Sequence, residues 1–248
     1  MKITSVNNEL VKDVAKLLKS KHREDSGLFL IEGEKGVTEA INAKLEIKYI
    51  FVEEGNTKYT GDNVVETTGA VLGKISDAKS APKVIAVAKQ IKTDIQSFKD
   101  MQRVILLENI KDAGNLGTIL RTAAAFKIDG IVLYGDTVDL YNPKCVRSAV
   151  GNLWKLQIVK LDDFNTLEKT FKDFDKIATL PKNENVIELS NYTPKDKTLI
   201  MFGSEAEGLS KGLKDFATQN ITIEMSSEVE SLNLSISAGI IMYKIMNH

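Results

Sequence analysis

Between Arg103 and Met246, short apolar runs alternate with segments of helical periodicity: "RVILLEN", "GTILRTAAAFK", "GIVLYG", "NPKCVRSAVG", "KLQIV", "FNTLEKTFKD", "KIATLP", "TLIMFGSE", "LSKGLKDFA", "ITIEM" and "SLNLSISAGIIMYKIM". Uninterrupted apolar runs of this length suit strands buried on both faces, and strands separated by helices pair in parallel. The alternation predicts an α/β fold, a mostly parallel sheet with helices on both faces. Ligands of such sheets bind beyond the carboxyl ends of the strands, which directs attention to the loops after Leu107, Met201 and Ile223.

A second, smaller α/β unit is expected ahead of this one. Leu10, Val14, Leu17 and Leu18 recur at helical spacing over residues 7–19. The strand "LFLIEG", the helix "EKGVTEAIN" and the strands "IKYIFVEE", "NVVETT" and "KVIAVAKQ" follow. The stretch "IKTDIQSFKDMQR" lacks a strong apolar period. We therefore place one domain at residues 1–92, a linker at 93–101 and a second domain at 102–248, a division that 248 residues can sustain.

Composition narrows the chemistry. Cys145 is the only cysteine, and His22 and His248 are the only histidines, so histidine triads and zinc sites are not expected, and no metal is. No apolar run is long enough to span a membrane and no signal core follows Met1, so a cytoplasmic protein without a membrane partner is expected. The net charge is −1, so any polyanion must be met by a local patch. The segment "VKDVAKLLKSKHRED" offers one, with Lys12, Lys16, Lys19, Lys21 and Arg23; Lys144 and Arg147 are further candidates. A solvated helix face explains the first cluster equally well.

Three loops could carry chemistry. In "ENIKDAGNLG" the chain turns from strand to helix at Gly114 and Gly117, with Asn115 able to cap backbone groups. The spacing is neither the dinucleotide fingerprint nor the phosphate loop. Arg121 follows one turn into the helix, beside Ala123, Ala124 and Ala125, and reads either as a functional guanidinium near the top of the sheet or as a surface ion pair. In "LIMFGSEAEGLS", Gly203 ends a strand and precedes Glu205 and Gly208, which permits a ligand to lie against backbone or simply permits the turn. Glu205 can bind a basic group or favour the next helix through its dipole. In "TIEMSSEVESLNLSISAGIIMYKIM", Ser231 and Asn233 head a helix apolar on almost every face, and capping would account for Ser231.

Together and in this order the motifs "NIKDAGNLGTILRTAAAF", "MFGSEAEGLS" and "IEMSSEVESLNLSISAGI" resemble those of the SpoU (TrmH) branch of the SPOUT RNA methyltransferases, over roughly residues 102 to 247. "DLYNPKCVRSAVGNLWKLQIV" resembles the middle segment of that family, and "KLLKSKHREDSGLFLIEGEKGVTEAI" its amino-terminal RNA substrate-binding domain. The resemblance implies a carboxyl-terminal trefoil knot, an exception to unknotted topology. It further implies a homodimer with its site at the subunit contact, S-adenosylmethionine as cofactor, and methylation of a ribose 2′-hydroxyl in ribosomal RNA, or alternatively in transfer RNA.

By motif match, Asn115, Arg121, Glu205, Ser231 and Asn233 would be catalytic. Phe202, Gly203, Gly208, Ile223, Met225 and Leu232 would line the cofactor pocket, and Lys19, Lys21, Arg23, Lys144 and Arg147 would meet RNA. A guanidinium stays protonated, so the expected role of Arg121 is electrostatic, with a phosphate or water taking the proton and Asn115 holding Arg121 or the ribose. Two positions depart from the family: Ala113 and Glu224 stand where proline is frequent. Two rivals are a non-catalytic RNA-binding or ribosome-assembly factor of the same fold and a nucleotide-binding α/β enzyme; the latter lacks its glycine fingerprints.

Overall fold

A computed structural model describes residues 1–182 and 185–246; His248 lies outside the described residues. The chain divides into two compact units, Met1–Ile91 with Asp139–Lys155, and Lys92–Val138 with the residues from Leu156 onward.

The first unit contains β1 (Lys2–Ile3), α1 (Glu9–Lys16), α2 (Ser20–Ser26), β2 (Leu28–Glu32), α3 (Glu34–Asn42), β3 (Ile47–Glu53), β4 (Val64–Thr67), α4 (Gly69–Lys74) and β5 (Val84–Lys89). Its sheet runs β1-β4-β3-β5-β2, parallel at β3/β4 and antiparallel on both sides of β5. The helix expected over residues 7–19 is broken. The amides of Leu17, Leu18 and Lys19 bond three residues back, which tightens the end of α1 before α2 begins. Val11, Val14 and Leu17 still reach the core beside Leu30, Phe51 and Val65.

The second unit starts with a 3-10 turn over Ile95–Asp100, then β6 (Arg103–Glu108), α5 (Ala113–Ala125) and β7 (Gly130–Tyr134). The chain next contributes α6 (Pro143–Ala149) to the first unit. It returns with β8 (Gln157–Leu161), α7 (Phe164–Thr170), β9 (Asp175–Thr179), β10 (Ile187–Glu188), β11 (Thr198–Phe202), α8 (Lys211–Phe216), β12 (Gln219–Thr222) and α9 (Leu234–Met246). The sheet runs β10-β12-β9-β11-β6-β7-β8, and every described pairing in it is parallel. Val104 and Leu106 of β6 and Leu199 and Met201 of β11 share a cluster with Leu167 of α7 and Leu213 of α8. The intervening Ile105, Leu107, Ile200 and Phe202 are equally buried on the opposite face. There α5 and α9 pack on each other. Strands covered on both faces explain the unbroken apolar runs of the sequence.

The domain boundaries differ from the expected ones in two respects. Residues 93–101 are not a free tether, because Phe98 is fully buried against Phe171 and against Gly130, where a Cβ would fall 2.5 Å from the Phe98 ring. Residues 139–155 group with the first unit. The Tyr141 ring lies 4.6 Å from that of Phe29, its hydroxyl donates to the Ile91 carbonyl at 3.1 Å, and Cys145 is buried.

Two of the expected RNA ligands, Arg23 and Arg147, need correction on the same ground. Arg23 is 2% exposed; its Nε donates to Asp139 at 2.6 Å and its Nη1 to the Leu17 carbonyl at 2.7 Å. Such a guanidinium is a core group, since burial of a charge is tolerated only with its partners. Arg147 on α6 donates to Glu32 at 2.9 Å and also to Asp77, so its charge is spent within the unit. Glu32 is itself buried, and one of its carboxylate oxygens meets no donor; burial pushes its pKa up against the opposing pull of Arg147 and Ser76. Lys144 is exposed on α6, and Lys19 and Lys21 are exposed around the start of α2.

Candidate functional site

The first loop begins where β6 ends. Asp112 caps α5 by accepting from the Asn115 amide at 2.8 Å, which makes Ala113 the first helical residue. Proline is favoured at that position because its missing N–H is not needed there, and alanine fills it without strain. Asn115 lies half-buried in the opening turn of α5.

The second loop leaves β11 at Phe202 and folds back on itself. A Cβ on Gly203 would lie 2.0 Å from the carbonyl carbon of Gly208, so only glycine allows the two backbones to pass. Gly208 itself has φ +66°, and Ser204 and Gly208 form a bridge. The loop is pinned at its far end, where buried Glu108 accepts from the Ser210 amide at 2.7 Å.

The third loop leads from β12 into α9, which starts at Leu234 rather than near Ser231. Asn233 is the cap: its Oδ1 accepts from the Ser235 amide at 2.9 Å and from the Ser235 hydroxyl at 2.6 Å. Capping therefore does not account for Ser231, which is exposed on the cavity wall.

These three loops meet in a directed chain of hydrogen bonds. Asn233 Nδ2 donates to Asn115 Oδ1 at 3.1 Å, and Asn115 Nδ2 donates to Glu205 Oε1 at 2.5 Å. Because Asn233 already accepts from Ser235 with its oxygen, its amide orientation is fixed, and so in turn is that of Asn115. Of the two partners expected for Asn115, Arg121 or the ribose, Arg121 is not bonded to it within the chain. Arg121 lies six residues further along α5, about 240° around the helix axis. It is exposed, and among the described residues its side chain makes no hydrogen bond or ion pair.

Beside this chain lies a cavity of about 410 Å³, at the carboxyl ends of β9, β11 and β12. All six residues expected to hold a cofactor line it: Phe202, Gly203, Gly208, Ile223, Met225 and Leu232. Glu205 and Ser231 also face it, whereas Asn115 and Asn233 stand behind Glu205 and Arg121 does not line it. Sequence reasoning missed Thr179 at the end of β9, Leu180 and Pro181 after it, and Lys214 of α8. The rule that ligands lie beyond strand ends pointed to β9 as well, but only the strand order places it next to β11.

Glu224 is turned to structural use. Its Oε1 accepts from the Ser190 amide at 3.0 Å, and the Ser190 carbonyl accepts from Lys244 at 3.0 Å. Burial acts to raise the Glu224 pKa, but the hydrogen bonds from Ser190 and nearby backbone outweigh it and hold the pKa below the ordinary glutamate value.

A parallel α/β sheet with a cavity at its strand ends, closed by loops carrying amides and a carboxylate, defines an α/β protein of the ligand-binding class. The chain belongs to the SpoU rRNA Methylase family, whose profile matches residues 102–243, and residues 8–86 match the MRM3-like substrate binding domain. It is 30% identical to an uncharacterized tRNA/rRNA methyltransferase of Synechocystis, over 98% of this chain and 92% of that protein. It is 26% identical to the 23S rRNA (guanosine(2553)-2′-O)-methyltransferase of Bacillus subtilis, over 98% of both chains. The crystal structure of an AdoMet-bound rRNA methyltransferase from Sinorhizobium meliloti superposes with a TM-score of 0.88 at 25% identity, covering 98% of this chain and 96% of that one.

Proposed function

We propose that this protein transfers a methyl group from S-adenosylmethionine to a ribose 2′-hydroxyl of RNA, with ribosomal RNA the first candidate and transfer RNA the second. The observation that carries the reading is the junction of three separate loops through Asn233, Asn115 and Glu205 at the edge of one cavity. The cavity suits the cofactor in size and in wall chemistry. Leu209, Ile221, Ile223, Leu232 and Ile241 offer apolar surface for a flat base, and Glu205, Glu207 and Glu230 offer negative charge to a cationic group. When bound, the cofactor supplies an electrophilic methyl on a sulfonium.

The protein's own part is alignment and charge. Glu205, held by Asn115, lines the cavity, and Ser231 on the same wall would orient the target nucleotide. A 2′-oxygen gains negative charge as its proton passes to a phosphate or water, and a guanidinium beside it stabilises that charge. Arg121 does not line the cavity of its own chain, so a catalytic Arg121 must reach a site across a subunit contact. The apolar face of α9 favours such a contact: Ile236, Ile240 and Tyr243 are 53%, 38% and 62% exposed, and Tyr243 stacks edge-on against Phe126, which follows α5. We therefore read the active form as a twofold dimer and the carboxyl-terminal threading as a knot.

Lys19, Lys21 and Lys144 remain as candidates for RNA contact. Among the described residues no helix is long and apolar enough to cross a membrane, and we place the protein in the cytoplasm with its RNA. Mapping 2′-O-methylation across total RNA with and without the gene tests the reading. One site lost on deletion and restored by the purified protein with S-adenosylmethionine is expected; an unchanged map, or a modified base in place of the ribose, overturns it.

A further inference from the structure

Charge on the cavity walls is lopsided. Glu205, Glu207 and Glu230 face a single basic side chain, Lys214. Lys214 lies in the last turn of α8, and its root is fixed. The Lys214 amide bonds to the Ser210 carbonyl at 3.0 Å, Ser210 is clasped by Glu108, and the neighbouring Leu213 is buried in the core. Its ammonium group is exposed and makes no hydrogen bond or ion pair among the described residues, despite three carboxylates on the same cavity.

S-adenosylmethionine carries a neutral base and ribose, two cationic centres and one anion, the carboxylate of its methionine moiety. That carboxylate would be repelled by three of the four charged wall residues. Resting on the reading of this cavity as the cofactor site, we infer that Lys214 pairs with the methionine carboxylate and so sets which end of the cofactor lies toward α8 and the residues after β9. The pairing also leaves the three glutamates to the cationic centres, which gives each charged part of the ligand a complement. A lysine that served only the carboxyl-terminal dipole of α8 would make no distinction between ligands.

The experiment is calorimetry on the full chain with two ligands, S-adenosylmethionine and its decarboxylated form, which keeps both cationic centres. Lys214→Met is expected to weaken binding of the first by about fivefold to tenfold, the range for a partly exposed charge-assisted bond, and to leave binding of the second unchanged or slightly stronger. Lys214→Arg should retain most of the affinity for the first. Thermal melts of each variant establish that α8 is intact. Equal weakening of both ligands would show that Lys214 shapes the cavity without reading the carboxylate, and no effect on either would show a solvated side chain; both results overturn the assignment. A wild-type protein that binds neither ligand overturns the cofactor reading on which this inference stands.

Discussion

At the scale of single residues, Asn115, Glu205 and Asn233 are joined in the hydrogen-bond network of the site and Arg121 is not. Arg121 has no hydrogen-bond or ion-pair partner among the described residues, so Arg121→Ala is expected to leave S-adenosylmethionine affinity nearly unchanged and to lower single-turnover rate by about a hundredfold or more, the scale for losing one preorganised donor. Retention of a near-normal rate at saturating RNA would remove Arg121 from the mechanism. Glu32 gives a prediction of another kind. Its pKa is raised by burial, so the folded state holds the proton more tightly than the unfolded one. Its contribution to stability is then full below the ordinary glutamate range and is lost as pH rises through the raised folded value. In urea melts between about pH 4 and pH 7, stability of the wild type relative to Glu32→Gln should fall with rising pH; a difference that stays constant contradicts it. Asn115 and Glu205 could be nominated from their motifs, but their mutual bond spans ninety residues of sequence and nothing local in either loop specifies it.

Among the elements, the loop after β11 and the helix α9 carry the clearest consequences. Gly203→Ala places a methyl inside the path of Gly208, so the loop must open, at a cost of about 1–3 kcal/mol or more in stability, and cofactor binding should vanish in the same calorimetric experiment. Retained binding would mean that the cavity does not depend on this crossing. For α9, Ile240→Asp or Tyr243→Asp is expected to shift a sedimenting dimer to monomer and to abolish turnover in step. If the site is shared across the contact, mixing Arg121→Ala with Gly203→Ala protein restores turnover, since mixed dimers contain one complete site; mixtures as inactive as their components count against sharing. The central strands were legible as uninterrupted apolar runs of strand length, as in β6 and β11, and α1 from the helical spacing of Leu10, Val14 and Leu17. The break between α1 and α2 was not, because Leu17 and Leu18 continue the apolar pattern while the backbone bonds change beneath it. The start of α9 at Leu234 is hidden for a related reason. Ser231 and Asn233 are both good caps by type, and only Asn233 meets the Ser235 amide.

At the scale of the whole molecule, the chain does not divide where its sequence suggests. Residues 139–155 interrupt the second unit in sequence and belong to the first in space, tied by Arg23–Asp139, Arg147–Glu32 and Lys155–Glu39. A fragment comprising residues 92–248 would therefore leave Asp139 without Arg23, and Arg147 and the apolar side of α6 without partners. Cys145, buried and with its thiol pKa pushed up by desolvation in the full chain, reports on this. It should resist a thiol reagent in the native protein and react readily in the fragment, and equal protection in both would show that α6 finds its place without the first unit. The amino-acid sequence fixes the strand and helix periods, the glycines of the second loop and the motif residues, because each is set by neighbours along the chain and by the chemistry of the side chain. Which loops meet, that Arg23 is a core group while Lys19 and Lys21 stay in solvent, and that Arg121 lies away from its own cavity are decided by long-range packing. The same residue types in the same local patterns are compatible with either outcome until burial and partners across the fold choose between them.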